Sequence, residues 1–376
     1  MIALNIFLAL VACVWIMKAC DPFEESADFL GRNMSNGVKG ATINAVASSI
    51  PEFLTTVIFL FIYTDKAGFE SGVGTTAGSA VFNAMVIPGV CIIAVILSVK
   101  NAKFDLNKKT VIRDGFFFVL SQIALIYVLS KRTITMTDGA ILTAIYLIYI
   151  TYMLKTNSFD SDDDDEEEDE EEEGELESPI VCFFKFKLTD MVCRGKSYTT
   201  GKALIVLFLA VAHISGACWL LAEGVVEIAK GLGMPTFFVA VVIAAAATSV
   251  PDTIISLKDA KKGNYDDAIA NAIGSNIFDI CICLGVPILL YCMFYGNITM
   301  NTSEADIAEI RILLLVLTFV IIALFLFPKN IGMFTGVSLV VGYLFYAVYS
   351  WCRGLNMEWT KPISEIIQSF SKNFGL

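Results

Sequence analysis

The feature that most constrains the fold is a series of long apolar runs, several of them close to twenty residues in length. Such runs match the hydrocarbon core of a bilayer, where helices and closed barrels satisfy their own backbone groups. Of the 376 residues, 56% are hydrophobic, and the mean hydropathy is +0.70. The pattern predicts an all-α integral membrane protein with ten transmembrane helices, at about residues 1–20, 37–64, 72–99, 112–130, 136–154, 202–228, 235–259, 265–294, 309–327 and 331–352.

The first run, 1–20, could be a membrane helix or a removed signal peptide. It has neither a basic start nor a small-x-small cleavage site, so we interpret it as a membrane helix.

A strongly acidic stretch separates the first five runs from the last five. Residues 160–177 hold 15 of the 38 acidic side chains. Like charges repel and little apolar surface is available there, so we predict that the linker, 155–200, is a largely disordered tether. A weak calcium sensor or a cation reservoir is the alternative role. The predicted domains are a first transmembrane repeat (1–154), this linker, a second transmembrane repeat (201–352) and a C-terminal tail (353–376).

Two short motifs occur once in each half, in the same order. Ser48-Ser49-Ile50-Pro51-Glu52 is followed two hundred positions later by Thr248-Ser249-Val250-Pro251-Asp252. Gly78-Ser79-Ala80-Val81-Phe82-Asn83 corresponds to Gly274-Ser275-Asn276-Ile277-Phe278-Asp279, at an offset of 196. The difference falls in a predicted turn, where an insertion is least disruptive. Five helices per half therefore predict two inverted repeats, with a site between them near the midplane. The repeated segments cover about 40–95 and 240–290.

Lys and Arg predict the orientation. With the N-terminus outside, most of the 26 basic residues fall on inner segments, as the positive-inside rule requires. Both termini are then non-cytoplasmic and the acidic linker is cytoplasmic. The membrane is either the plasma membrane or that of an organelle.

Carboxylates are rare at membrane depth and usually mark an ion or proton path. Residues three or four apart share a helix face, which groups these motifs' polar side chains. The candidate ligands are all oxygen donors: Glu52, Asp252, Asn83, Asp279, Ser48, Ser49, Ser79, Thr248, Ser249, Ser275, and the carbonyls of Ala47 and Ala247. The two carbonyls lose their helical donors to Pro51 and Pro251. Oxygen ligands suit hard cations such as Ca²⁺, and no His or Cys accompanies them as Zn²⁺ or copper would require. Gly78 and Gly274 predict close helix approach beside the site.

Simpler explanations apply to single residues. A Ser or Thr in a membrane helix usually bonds to its own backbone, and an isolated Pro usually only kinks a helix. We interpret His213 as a packed histidine rather than a proton relay. The acidic residues at 21–28 are either a solvated face or a cation vestibule. Repetition of the whole set of polar residues in the paired motifs favours a cation site.

The motifs resemble those of the cation/calcium exchanger superfamily. ASSIPEF and GTTAGSAVFN are similar to its first α-repeat, and ATSVPD and AIGSNIFD to its second. The pairing of Glu52 with Asp252, and the acid Asp279, look most like the potassium-dependent sodium/calcium exchangers. The resemblance implies that Glu52 and Asp252 are the central calcium ligands. It also implies that Ser49, Ser79, Ser249 and Ser275 are shared or sodium ligands, and that Asp279 confers potassium dependence.

The expected function is secondary antiport of Ca²⁺ for Na⁺, with K⁺ as a further transported ion. A Ca²⁺/H⁺ or other cation/proton antiporter is the alternative, and a cation channel or calcium sensor is a third reading. The sequence contains no nucleophile–base set and no cofactor motif, so we expect neither enzyme activity nor a cofactor. The expected partners are the lipid bilayer and the transported ions, with no nucleic acid and no obligate protein partner.

Overall fold

The structure is a computed structural model that describes residues 2–32, 45–63, 66–98, 108–156, 178–299, 304–326 and 331–374. The first half contains α1 (Ile2–Leu30), α2 (Ala45–Ser48), α3 (Ile50–Phe61), α4 (Lys66–Ser98), α5 (Lys108–Leu129) and α6 (Met136–Thr156). Two short helices precede the second half, α7 (Pro179–Phe184) and α8 (Leu188–Cys193). The second half contains α9 (Thr200–Leu232), α10 (Thr236–Val239), α11 (Ala245–Thr248), α12 (Val250–Lys262), α13 (Tyr265–Phe278), α14 (Gly285–Tyr295), α15 (Glu304–Leu326), α16 (Met333–Gly354) and α17 (Lys361–Phe374).

The protein is all-helical apart from one two-residue strand pair in the described ranges. Strands β1 (Thr133–Ile134) and β2 (Ile298–Thr299) are antiparallel, with Thr133 opposite Thr299. They join the connection before α6 to the one after α14, so these two connections lie at the same end of the bundle.

Within the described residues, seven helices are long and apolar enough to cross a membrane. The bent pair Thr236–Thr248 and Val250–Lys262, at 42°, would make an eighth span. Ile50–Phe61 and Arg311–Leu326 are shorter apolar helices. The chain is thus a multi-pass membrane protein, while the ten-span arrangement stays a prediction. Residues 37–44 of the predicted second span lie outside the described ranges.

The helices carrying the first motif of each half break just before the proline. In the first half, α2 ends at Ser48 and α3 begins at Ile50. In the second, α11 ends at Thr248 and α12 begins at Val250. Proline is tolerated in the first turn of a helix because its missing N–H is not needed there. The helix that follows each break therefore has an acidic residue in its first turn, Glu52 in α3 and Asp252 in α12.

The second half has two π-helical segments that the first half lacks in its described residues. Ala240–Ala244 joins α10 to α11, and Asp279–Leu284 joins α13 to α14. Short π-helical insertions are common at functional sites. The second of these segments begins at the candidate ligand Asp279.

Long helices α1 and α9 pack against each other along their length and flank the motif helices. Helix α1 continues to Leu30, beyond the predicted end at residue 20, and passes through Pro22. The acidic residues at 21–28 therefore lie on the last turns of α1.

The linker prediction meets the structure only in part, because residues 157–177 lie outside the described ranges. From residue 178 the linker contains α7 and α8. Helix α7 begins at Pro179, where Ser178 Oγ accepts a hydrogen bond from Val181 N at 3.4 Å. Phe183 and Phe186 lie against His213, with ring centroids 4.3 and 5.1 Å apart.

The predicted tail contains one more helix, α17, which packs against α15. Its contact centres on Glu309, which is buried at 2% exposure. Ser364 Oγ of α17 donates to Glu309 Oε2 at 2.6 Å, and Arg353 Nε at 3.3 Å. Tyr349 also donates to this carboxylate. The tail is thus attached to the end of the bundle near α15 and α16.

Candidate cation site

Four acidic or amide side chains of the paired motifs are fully buried inside the bundle. Glu52, Asn83, Asp252 and Asp279 each have 0% exposed surface. The structure therefore turns none of them toward lipid. They come from α3, α4, α12 and the π-helical segment after α13, so both halves contribute.

Glu52 contacts hydroxyl groups from both halves. Its Oε1 accepts from Ser249 Oγ at 3.1 Å and from Ser79 Oγ at 3.5 Å. Its Oε2 is buried and has no hydrogen-bond partner among the described residues. A buried carboxylate oxygen without a donor is costly, so this oxygen is available for a cation.

Asp252 and Asp279 are linked by one amide from the other half. Asn83 Nδ2 donates to Asp252 Oδ2 and to Asp279 Oδ2, at 3.3 Å in both cases. Ser275 Oγ donates to the other oxygen of Asp252 at 2.7 Å. Asn83 Oδ1 is buried and has no partner in the described chain. The amide therefore holds two carboxylates together and still offers an oxygen.

Two of the remaining hydroxyls bond to their own helices, as the simpler reading of single residues predicts, whereas Ser49 Oγ is buried without a hydrogen-bond partner in the described residues. Thr248 Oγ1 donates to Ala244 O at 3.0 Å, and it lies 3.5 Å from Ser79 Oγ. Ser48 Oγ donates to Ala45 O at 3.4 Å. Ser48, Ser49 and Thr248 are all 0% exposed, so all of them lie inside the bundle with the carboxylates.

The carbonyls near the two breaks have thiol neighbours that the sequence reasoning missed. Cys13 Sγ of α1 donates to Ala247 O at 3.8 Å, and Cys218 Sγ of α9 to Pro51 O at 3.5 Å. No contact of the Ala47 carbonyl with the carboxylates is found in the described part of the chain. The two long helices thus each touch the break of the opposite half.

A third thiol, Cys283, lies beside the carboxylates. Its Sγ is 3.5 Å from Ser49 O and 3.7 Å from Asp279 Oδ1. The spacing carried a signal, because residues four apart share a helix face and Cys283 follows Asp279 by four.

The two glycines beside the site, Gly78 and Gly274, differ in how closely other helices approach them. A Cβ on Gly78 would lie 2.2 Å from Val241 O and 2.6 Å from Ala245 Cβ, so the predicted close approach is present. A Cβ on Gly274 would meet only Tyr149 OH, at 3.7 Å, which is an ordinary contact. The prediction of a close approach is therefore wrong for Gly274.

The acidic side chains of the site have no basic counterpart in the described part of the chain. In the described ranges, no Lys, Arg or His forms an ion pair with Glu52, Asp252 or Asp279. No three His, Cys, Asp or Glu side chains there are grouped tightly enough to hold a metal by themselves. A cation would therefore need the hydroxyl and amide oxygens as well. Such a mixed, partly satisfied ligand set suits a cation that enters and leaves.

The family of the chain follows from comparison with known proteins. The family model for "Sodium/calcium exchanger protein" matches residues 4–155 and 202–352, which is most of the chain. The chain therefore belongs to this family, within the cation/calcium exchanger superfamily.

Curated relatives are similar at modest identity. Sodium/calcium exchanger MaX1 of Methanosarcina acetivorans is 24% identical over 342 residues, covering 84% of this chain and 91% of the relative. Human Sodium/potassium/calcium exchanger 5 is 24% identical over 348 residues, covering 72% and 67%. Human Sodium/potassium/calcium exchanger 3 is 33% identical over 157 residues, but this covers 40% of the chain and only 23% of the relative.

Solved structures of the sodium-calcium exchanger NCX_Mj have a similar fold. One, from crystals soaked with 2.5 mM Na⁺ and 1 mM Sr²⁺, superposes with a TM-score of 0.56 at 20% identity. The match covers 93% of this chain and 99% of the other. At this identity the likeness establishes the fold.

Proposed function

We propose that this chain is a secondary antiporter that exchanges Ca²⁺ for Na⁺, with K⁺ as a co-transported ion, by alternating access. The proposed ligands are Glu52, Asp252, Asn83, Asp279, Ser48, Ser49, Ser79, Thr248, Ser249, Ser275 and the carbonyls of Ala47 and Ala247. Family membership supports the antiport class, and the named relatives include exchangers of sodium, potassium and calcium.

The observation that carries the proposal is the group of buried, unpaired oxygens at the meeting of the two halves. Among the described residues, Glu52 Oε2 and Asn83 Oδ1 have no donor and the carboxylates have no basic ion-pair partner. An empty site would leave negative charge in a low-dielectric interior, which is unfavourable. One Ca²⁺ or several monovalent ions would neutralise it. Alternation without cargo is therefore disfavoured, and this couples the two fluxes.

The proposed framework is ten spans arranged as two inverted repeats. The family model matches each half separately, at 4–155 and 202–352, which supports duplication. The motif helices break at equivalent places in the two halves. Two shorter apolar helices add to the seven or eight candidate spans of the described residues. The distribution of Lys and Arg supports non-cytoplasmic termini, in the plasma membrane or an organelle membrane.

Helices α1 and α9 are the proposed moving pair. They pack on each other, and each reaches the helix break of the opposite half through a thiol. Thiol–carbonyl hydrogen bonds are weak, so breaking these two contacts during sliding would cost little. Sliding would also change which side of the membrane reaches the site, in the manner of other inverted-repeat transporters.

Potassium dependence is proposed to reside at Asp279. Asn83 already links this carboxylate to Asp252. An extra negative group beside the calcium ligands raises the charge that must be balanced, which favours an additional monovalent cation. The similarity to exchangers named for potassium supports this assignment.

The test is radioactive calcium uptake by vesicles containing the purified protein. Uptake into sodium-loaded vesicles should exceed uptake into sodium-free vesicles, and external potassium should increase it. Asp252→Asn should abolish uptake, while Asp190→Asn, an exposed acid on α8, should not. Calcium uptake that ignores the sodium gradient would overturn the proposal. Uptake driven by a pH gradient without sodium would instead establish the cation/proton alternative, which buried carboxylates could also support.

A further inference from the structure

A row of polar side chains leads from the buried carboxylates to the end of the bundle where α12 joins α13. These two helices form a hairpin with a turn at residues 263–264. Next to the carboxylates, Ser275 Oγ donates to Asp252 Oδ1 at 2.7 Å. One helical turn further toward the hairpin end, Asn271 Nδ2 donates to Ser256 Oγ at 3.0 Å. The polar row therefore continues beyond the ligands that the paired motifs predicted.

The pair formed by Ser256 and Asn271 contains an oxygen that is available for a cation. Ser256 is 0% exposed and Asn271 is 8% exposed. Asn271 Oδ1 has no hydrogen-bond partner among the described residues, and a buried amide oxygen without a donor is unfavourable. Both oxygens of this pair are neutral. Because affinity for a hard cation increases with the charge of its ligands, the pair would hold such a cation only weakly.

Two carboxylates lie one turn beyond this pair, at the outer end of the row. Asp259 of α12 is half-buried and Asp267 of α13 is exposed, and the two are within electrostatic range of each other. Lys258 and Lys262 are also near Asp259, but both are exposed, so salt screens them more than the half-buried carboxylate. No ion pair joins Asp259 or Asp267 to a basic side chain within the described residues. Seven residues separate Asp259 from Asp252, which is about 10 Å along a helix.

Helix α1 brings two more acids to the same end of the row. Glu24 and Asp28 are four residues apart, so they share a face of α1. Glu24 is within electrostatic range of Asp252. Asp28 is within electrostatic range of Asp259. Glu25 lies on another face, where it accepts a hydrogen bond from α8. The acidic mouth of the row consists of Glu24, Asp28, Asp259 and Asp267.

The first half has no acidic mouth at the equivalent positions. At the offsets of the two motifs, Asp259 corresponds to Phe59 and Asp267 corresponds to Ser71. Phe59 is 0% exposed and Ser71 is 1% exposed. The acids are therefore specific to the hairpin of the second half. The described part of the linker contacts α1 at this same end, which the proposed orientation makes the cytoplasmic end.

We propose that the acidic mouth attracts Ca²⁺ from the cytoplasmic side, and that Ser256 and Asn271 form a transit site between the mouth and the carboxylates. This inference rests on the proposed exchange function and adds the route by which calcium reaches the site from one side. Clefts lined by one sign of charge raise the association rate of counter-ions by about 10- to 1,000-fold, and salt weakens this effect. A divalent cation is attracted more strongly than Na⁺ or K⁺. Because Ser256 is fully buried, passage requires α1 to move relative to the hairpin, as its proposed sliding allows.

The test measures sodium-dependent calcium uptake separately from each side of the membrane. Vesicles are separated into right-side-out and inside-out populations, and cleavage at a protease site placed in the linker identifies those whose linker end faces the medium. With calcium added at the linker end, Asp259→Asn/Asp267→Asn should raise the calcium concentration for half-maximal uptake about tenfold. The value for calcium added at the opposite end should stay unchanged. Higher ionic strength, set with choline chloride, should reduce the difference from wild type.

The matched control is Glu25→Gln/Asp190→Asn. It removes the same charge at the same end of the molecule, but Glu25 faces α8 and Asp190 lies on α8, away from the hairpin. This control should have wild-type values at both ends. No increase for Asp259→Asn/Asp267→Asn at the linker end, or an equal increase at both ends, would overturn the role of the acidic mouth.

The transit site is tested by Asn271→Leu, which keeps a similar volume without the oxygen, and by Ser256→Ala. Each should lower the maximal rate of uptake while equilibrium binding of calcium to the purified protein stays at the wild-type level. Unchanged maximal rates in both variants would overturn the transit site. These outcomes differ from failure of the proposed function, in which the wild type itself takes up no calcium on a sodium gradient.

Discussion

Replacement of Glu52 by Gln tests the cation site most directly. The amide keeps the shape of the side chain and an oxygen for Ser249 and Ser79, which donate at 3.1 and 3.5 Å to Glu52 Oε1. It removes only the charge. At about 4 Å and an effective dielectric constant of about 20, two unit charges attract by about 4 kcal/mol. For a divalent cation the lost attraction is about twice that for a monovalent one.

Reduced desolvation of the neutral side chain offsets part of this loss. A net loss of even about 4 kcal/mol lowers calcium affinity about a thousandfold. We therefore expect Glu52→Gln to abolish sodium-dependent calcium uptake into vesicles. The matched control is Glu227→Gln, which should behave as wild type, because this half-buried residue already pairs with Lys230 at 2.7 Å. Wild-type uptake by Glu52→Gln in correctly folded protein would refute the argument from charge.

Two further variants test parts of the same site, and a deletion tests the role of the linker. Asp279→Asn should weaken the stimulation of calcium uptake by potassium, and an unchanged potassium titration would contradict its assignment. Ser275→Ala removes the 2.7 Å donor to Asp252 and should raise the calcium concentration for half-maximal uptake about tenfold or more, since a hydrogen bond to a charged group contributes about 1.5–3 kcal/mol. Deletion of residues 160–177 should leave sodium-dependent uptake intact in the same vesicles; loss of uptake would favour the calcium-sensor role for the linker.

Local sequence rules predicted the parts of the fold that depend on local chemistry. Pro51 and Pro251 predicted the perturbation of both motif helices, because proline removes a backbone donor whatever its surroundings. The repeated motifs also predicted which side chains meet: Asn83 contacts Asp252 and Asp279 from the opposite half. Binding of cations by these side chains stays a prediction.

Other features depend on tertiary packing and had no local signal. The π-helical segments Ala240–Ala244 and Asp279–Leu284 insert residues into otherwise ordinary helical sequence. Contact between Cys13 and Ala247 O depends on how α1 lies against the second half. The contact of Phe183 of α7 with His213 depends on how the end of the linker lies against α9.

Packing around Gly78 provides a test of how tightly the two halves must meet. A methyl group at this position would lie 2.2 Å from Val241 O and 2.6 Å from Ala245 Cβ. Both contacts are too short, and the closer one is to backbone that cannot rotate away. Helix α4 would therefore have to shift from the second half by about 1 Å to restore ordinary contact distances near 3.5 Å.

Such a shift would move the neighbouring Ser79 away from Thr248, which lies 3.5 Å from it in the second half. Because misplacement of a positioned group by about 1 Å can reduce a rate about a hundredfold, we expect Gly78→Ala to lose calcium exchange to that extent. Gly274→Ala is the matched control: the same substitution in the equivalent motif meets only Tyr149 OH at 3.7 Å. It should retain most of the exchange rate. Equal rates for the two variants, in protein that elutes as a folded species in size-exclusion chromatography, would mean that the halves adapt to the added methyl group and that their close contact is not required for transport.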